Sequence, residues 1–77
     1  MKLTSIKANM TEIEIGDKTI LFSYKTPVAY HQVGVGSFKT DKKWSNTTSR
    51  HITQWGKIHG LDFPNTVSQE ELDNLIK

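Results

Sequence analysis

The 77-residue sequence predicts an α+β fold: a small antiparallel β-sheet of three to five strands, covered on one face by a main α-helix and a short C-terminal helix. Three observations carry this. "TEIEIGDKTILFSY" alternates apolar and polar residues about a Gly-Asp pair, as a hairpin does. "SNTTSRHITQW" sets a capping residue ahead of apolar positions at helical spacing. "VSQEEL" has Ser68 followed three residues later by Glu71, a capping box, with Val67 and Leu72 as the apolar staple beside it.

In chain order, "KLTSIKA" supplies an edge strand. Thr11 to Ile15 then puts Ile13 and Ile15 on one face and Glu12 and Glu14 on the other. Gly16-Asp17 is a two-residue turn, because glycine admits positive φ at the first turn position. On the return strand Ile20, Phe22 and Tyr24 share a face, with Leu21 and Ser23 opposite. Pro27, which has no amide donor, ends that strand. In "VAYHQV" Val28 and Tyr30 face one way, and Ala29, His31 and Val33 the other. "GVG" connects to a short strand, "SFKT", which completes a β-meander over residues 1–41. The main helix covers residues 45–59. Ser45 or Asn46 caps it, Ile52, Trp55 and His59 form its apolar stripe with Thr48 and Ile58 beside them, and Gly60 stops it. "LDFPNT" is a linker whose Phe63 packs down. The C-terminal helix covers residues 68–77, with Leu72, Leu75 and Ile76 on its apolar face. The whole chain, residues 1–77, reads as one domain.

Composition excludes several function classes. A chain of this size buries only about 60% of the surface its unfolded form exposes, so a deep pocket would compete with the core. There is no cysteine, hence no disulfide framework, thiolate metal site or cysteine nucleophile. No apolar run reaches the length of about 20 residues that spans a membrane, so no membrane partner is expected. The start "MKLTSIKANM" lacks the apolar core of a signal peptide, and a cytoplasmic location is expected. The net charge of +2 is unevenly spread. Residues 38–60 hold Lys39, Lys42, Lys43, Arg50 and Lys57 against Asp41 alone, whereas residues 61–77 hold Lys77 against Asp62, Glu70, Glu71 and Asp73.

The densest polar chemistry is "KKWSNTTSRHITQW", residues 42–55. A helix start offers unpaired amides and a partial positive charge, which suit a phosphate or carboxylate. Here Lys42, Lys43 and Arg50 add charge, Ser45, Thr47, Thr48 and Ser49 add hydroxyls, His51 adds a titratable ring, and Trp44 offers a face on which a base can stack. Tyr30 is a further aromatic candidate. The plainer reading of the segment is a capped, solvated helix start with both tryptophans in the core. Catalysis is not expected. No Asp or Glu lies between residues 42 and 61 to orient an imidazole, and no glycine elbow presents a serine. His51 and His59 are two helical turns apart, too far for one ion, so neither a metal nor a cofactor is expected.

Two of these stretches, "SYKTPVAYH" and "FKTDKKWSNTTSRHITQW", together resemble a domain of unknown function found in small proteins of tailed phages and related mobile elements. The pattern is Ser-Tyr-x-Thr-Pro-Val-Ala, here Ser23 to Ala29, then Trp-Ser-x-Thr-Thr-Ser-x-His-Ile-x-x-Trp, here Trp44 to Trp55. The resemblance spans about half the chain and implies phage origin and a small stand-alone domain, with no activity attached. The N-terminal hairpin and the acidic C-terminal helix lie outside it.

The function expected is a non-enzymatic phage accessory protein that binds an anionic partner, nucleic acid or a nucleotide, through the basic helix start. The alternative is an inhibitor of a host or antiphage-defence protein, with Trp44, Tyr30 and Arg50 as anchors in a protein–protein interface. Either is compatible with a homodimer.

Overall fold

Alternation and turn chemistry lay down the first half of the chain as an antiparallel meander. The computed structural model describes residues 2–63 and 65–75. Strand β1 (Lys2–Lys7) pairs with β2 (Met10–Ile15), β2 with β3 (Lys18–Ser23), β3 with β4 (Thr26–Gln32) and β4 with β5 (Gly36–Thr40). Gly16 takes the positive φ of the β2–β3 turn, at 60°. The β3–β4 turn achieves the same reversal without glycine, and here the expected register fails. Ser23 pairs with Thr26, so Tyr24 and Lys25 must turn the chain in two residues. Tyr24 therefore sits at φ 60°, its amide donating to the Asn9 carbonyl at 2.7 Å, and its ring leaves the face shared by Ile20 and Phe22. A non-glycine residue in this region stores about 1–3 kcal/mol of strain.

Pro27 does not end a strand either. It lies inside β4 opposite Phe22, where the ladder shifts by one residue and leaves Val28 in a bulge. Proline is tolerated at such a position because the bulge removes the need for its amide. The shift sends Val28 to the same side as Ala29 and Leu21, away from Tyr30.

After the meander comes α1 (Asn46–His59), then a three-residue strand β6 (Asn65–Val67), then α2 (Gln69–Asn74). Strand β6 runs parallel to β5, pairing Phe38 with Asn65 and Thr40 with Val67. The sheet is therefore mixed and six-stranded, in sequential order β1 to β6, rather than antiparallel with three to five strands. Residues 65–67 carry no alternation that would mark them as a strand; their pairing depends on α1 bringing them back beside β5.

The helices lie on opposite faces of the sheet, which corrects the expectation of one covered face. On one side Trp55 of α1 is fully buried against Met10, Leu21, Val28 and Ala29, with Trp44, Ile52 and Phe63 packed around them. On the other, Leu72 of α2 is fully buried against Ile20, Phe22 and Tyr30, flanked by Phe38, Val67 and Leu75. Central strands buried on both sides read as near-continuous apolar runs, and "ILF" with "PVAY" is such a run.

Local signals fix both helices. Ser45 rather than Asn46 caps α1, its Oγ accepting from the Thr48 amide at 3.3 Å, and Ser68 caps α2 by accepting from the Glu71 amide at 3.2 Å. Gly60 ends α1 at φ 66°, and the Leu61 amide donates back to the Gly56 carbonyl at 2.8 Å. Gly56 is needed for close approach: a Cβ there would meet the Phe63 ring at 3.0 Å and the Leu61 carbonyl at 3.2 Å. The buried stripe of α1 is Thr48, His51, Trp55 and Gly56, so Ile58, expected near it, is turned out and 59% exposed. Ile76, placed on the apolar face of the C-terminal helix, lies outside the described residues. No helix among the described residues is long and apolar enough to cross a membrane.

Candidate functional site

The segment from Lys42 to Trp55 wraps the corner where β5 hands over to α1, and its side chains part into an outward and an inward set. Lys42, Lys43, Thr47 and Arg50 are exposed and Trp44 is half-buried. The Trp44 indole is held at its edge and covered on its face. Its Nε1–H donates to the Gln69 Oε1 at 3.2 Å, while the Lys42 ammonium stands 4.3 Å from the ring centroid. Gln69 is the hub of this corner. Its Oε1 also accepts from the Thr40 hydroxyl at 2.8 Å, and its Nε2 donates to the Pro27 carbonyl at 2.7 Å. One side chain of α2 thus ties together β4, β5 and Trp44.

The inward set does not face solvent. Thr48 and His51, both expected as binding residues, turn under α1 and meet Ser23 of β3. The Ser23 Oγ lies 2.8 Å from His51 Nδ1 and 3.0 Å from the Thr48 Oγ1. Ser23 and His51 are only 2% and 4% exposed. The serine that meets the imidazole thus comes from the sheet, and it is buried. The His51 Nδ1 and the Thr48 hydroxyl are thus engaged in an internal network and both side chains are buried, although Thr48 also borders the groove described below. Tyr30 is also displaced from its expected role. It lies on the α2 side, stacked on Phe38 at 5.0 Å between centroids, and burial, then the Glu71 charge, raises its hydroxyl pKa. Ser45 remains at the corner with its Oγ engaged as the helix cap.

A second polar cluster closes the far end of α1. Glu12 Oε1 accepts from Trp55 Nε1 at 2.9 Å and from His59 Nε2 at 2.8 Å. Burial pushes the Glu12 carboxyl up, but the bonds from Trp55 and His59, with the His59 and Lys2 charges, bring it net below its ordinary value. Desolvation, then the Lys7 charge, lowers His51. Both shifts have the same sign for stability. Neutral His51 contributes fully above its unfolded pKa of about 6.5, and that contribution is lost as pH falls through the lower folded value. Ionised Glu12 contributes fully above about pH 4.3 and loses it as pH falls through its own depressed value. Acid unfolding is therefore expected in two overlapping stages. In urea melts across pH, His51→Asn, which keeps a polar atom near the Nδ1 position, should flatten the upper stage and Glu12→Gln the lower. An unchanged slope in His51→Asn would overturn the assignment of the upper stage to His51.

What packing creates, beyond the residues read from sequence, is a groove between α1 and β5. Its first section, about 220 Å³, runs from Lys42 and Trp44 past Lys39 to Ser49 and Thr53. Its second, about 490 Å³, continues from Lys39 and Thr53 past Lys57 to Asp62 and Phe63. Lys39 reaches the groove because it alternates with Phe38 on β5, which points to the other side of the sheet. Ser49, Thr53 and Lys57 reach it because residues four apart share a helix flank. That spacing is visible in the sequence; the partner strand is not. Lys43, Thr47 and Arg50 lie outside both sections, and Arg50 borders a shallow depression of about 310 Å³ with Gln54 and Lys57. Among the described residues no group of three or more His, Asp or Glu side chains is placed to hold a metal.

The chain belongs to a family of unknown function, DUF8033, whose model matches residues 1–74. The match takes in the N-terminal hairpin and α2 as well as the two motifs. No curated protein and no solved structure matches the chain.

Proposed function

We propose that this member of the family binds an anionic partner, nucleic acid first among them, in the groove between α1 and β5, and does so without catalysis. The observation that carries the reading is that Lys39, Lys42 and Lys57 line one continuous groove with the half-buried Trp44 at its mouth. Lysines along a channel neutralise successive phosphates, and an aromatic face adds sequence-tolerant stacking. The exposed Ser49 hydroxyl supplies a donor between the charges. Phage origin, inferred from the paired motifs, would set this binding in the host cytoplasm.

The test separates charge from stacking. Lys39→Ala with Lys42→Ala should weaken binding to single-stranded DNA and flatten the plot of log affinity against log salt, by about 0.7 for each phosphate no longer neutralised. Trp44→Ala should cost about 1–3 kcal/mol of binding with the slope kept, since stacking releases few ions. A parent protein that binds no nucleic acid at low salt would overturn the reading, because electrostatic attraction is least screened there. The inhibitor reading would then stand, with Trp44 and Arg50 as its anchors but without Tyr30, whose ring is committed to the core under α2.

A further inference from the structure

Trp44 does not stand at the end of the groove but in the middle of a longer track. On its other side opens a cleft of about 590 Å³ between the β3–β4 turn and α2, bordered by Lys25, Pro27, Lys42, Gln69 and Asp73. This cleft shares Lys42 and Trp44 with the groove's first section, and the first section shares Lys39 and Thr53 with the second. The three concavities therefore join end to end. The cations met in order are Lys25, Lys42, Lys39 and Lys57, with Asp73 beside one end and Asp62 at the other.

Resting on the reading above, we infer that the ligand is a single strand several nucleotides long, laid across Trp44 with phosphates on both sides of it. Three features argue for a strand over a mononucleotide or a duplex. A mononucleotide site encloses most of its ligand, whereas these concavities open to solvent along their length. The stretch of α1 from Ser49 to Gly60 alone runs about 16 Å at the helical rise, and the cleft beside α2 extends it. A channel between one helix and one strand has room for a single backbone. The flanking acids define its limits, since a phosphate next to Asp62 or Asp73 would be repelled.

Trp44 is built for the central position. Gln69 occupies its N–H, so what the indole offers a ligand is its face, now covered by the Lys42 ammonium. A base stacking there displaces the ammonium, and the lysine stem is long enough to carry the charge to the adjoining phosphate. Stacking and charge neutralisation then occur at one nucleotide.

The test is a series of oligothymidylates of increasing length, with affinities corrected for the number of binding frames. Affinity should rise with length and level off at on the order of four nucleotides or more, the lower end of the range for small single-strand modules. Lys25→Ala and Lys57→Ala should each weaken the long oligomers several-fold and leave a dinucleotide unaffected, whereas Lys42→Ala should weaken both. A length-independent affinity would overturn the track. So would Lys25→Ala and Lys57→Ala proteins that bind long oligomers like the parent, or a duplex that binds more tightly than its single strand. In these cases Lys42→Ala would still weaken binding, leaving the anion-binding reading intact. Failure of every oligomer to bind would sink both.

Discussion

Replacing Trp55 with Ala should lower the stability of this protein by about 3–5 kcal/mol, the range for deleting a fully buried tryptophan. Three effects combine. The ring leaves its place among Met10, Leu21, Val28 and Ala29. Phe63, stacked on it with centroids 6.1 Å apart, is left without its partner, and the α1–β6 connection without its hold on the helix. Glu12 no longer has the indole donor that helps keep its carboxyl ionised. A domain of this size has roughly 4–12 kcal/mol of stability in total, and each kcal/mol moves its melting temperature by about 4–8 °C. Trp55→Ala should therefore melt well below the parent, or fail to fold near room temperature. Trp55→Phe gives the graded version, keeping most of the volume while removing the N–H. Trp44→Ala is the control, since its half-buried ring takes much less apolar surface from water. A Trp55→Ala protein melting with the parent would show that α1 presents a different face to the sheet.

Leu72→Ala should cost about 2–5 kcal/mol in chemical denaturation, the range for truncating a buried leucine. Leu72 is fully buried against Ile20, Phe22 and Tyr30 although α2 has only six residues. A helix so short does not hold together on its own in water. Its folding is carried by this one anchor, the Ser68 cap and the Gln69 bonds to Thr40 and Pro27. A cost near zero would mean that α2 detaches in solution and that the second face of the sheet is open.

What is legible in the sequence is what short-range chemistry decides. Gly16-Asp17, Ser45, Gly60 and Ser68 each act on neighbours within five residues, and each turn, cap and stop is where those residues place it. Trp55 as core anchor is legible too, because the helical period puts it on one stripe with Ile52. Tyr24 escapes such a reading because a tight turn can be forced on a residue that disfavours it, once strand pairing leaves only two positions. Val28 escapes it because a bulge inverts the alternation from which its face is inferred. Strand β6 and the two-faced sheet depend on where α1 returns the chain, which no local pattern records. The site divides in the same way. Lys42 and Trp44 are legible from residue density. Thr48 and His51 turn inward because the large ring of Trp55 sets the rotation of α1 and carries its neighbours on that face with it. Lys39 and Lys57 cannot be paired from sequence, since one is on a strand and the other on a helix.

The parallel strand β6 also gives the fold an order of assembly. Strands β1 to β4 are joined by two-residue turns, so their ladders close over short loops at small entropic cost. Pairing Lys39 with Thr66 instead closes a loop that contains all of α1. Pairings that distant in the chain form late and open first. The meander can thus fold ahead of β6 and α2, and the walls of the lysine track, together with Gln69's grip on Trp44, are completed in the last step. The surface proposed to hold a ligand is then among the last to close, and whatever binds there stabilises the closing of the fold as well as its own site.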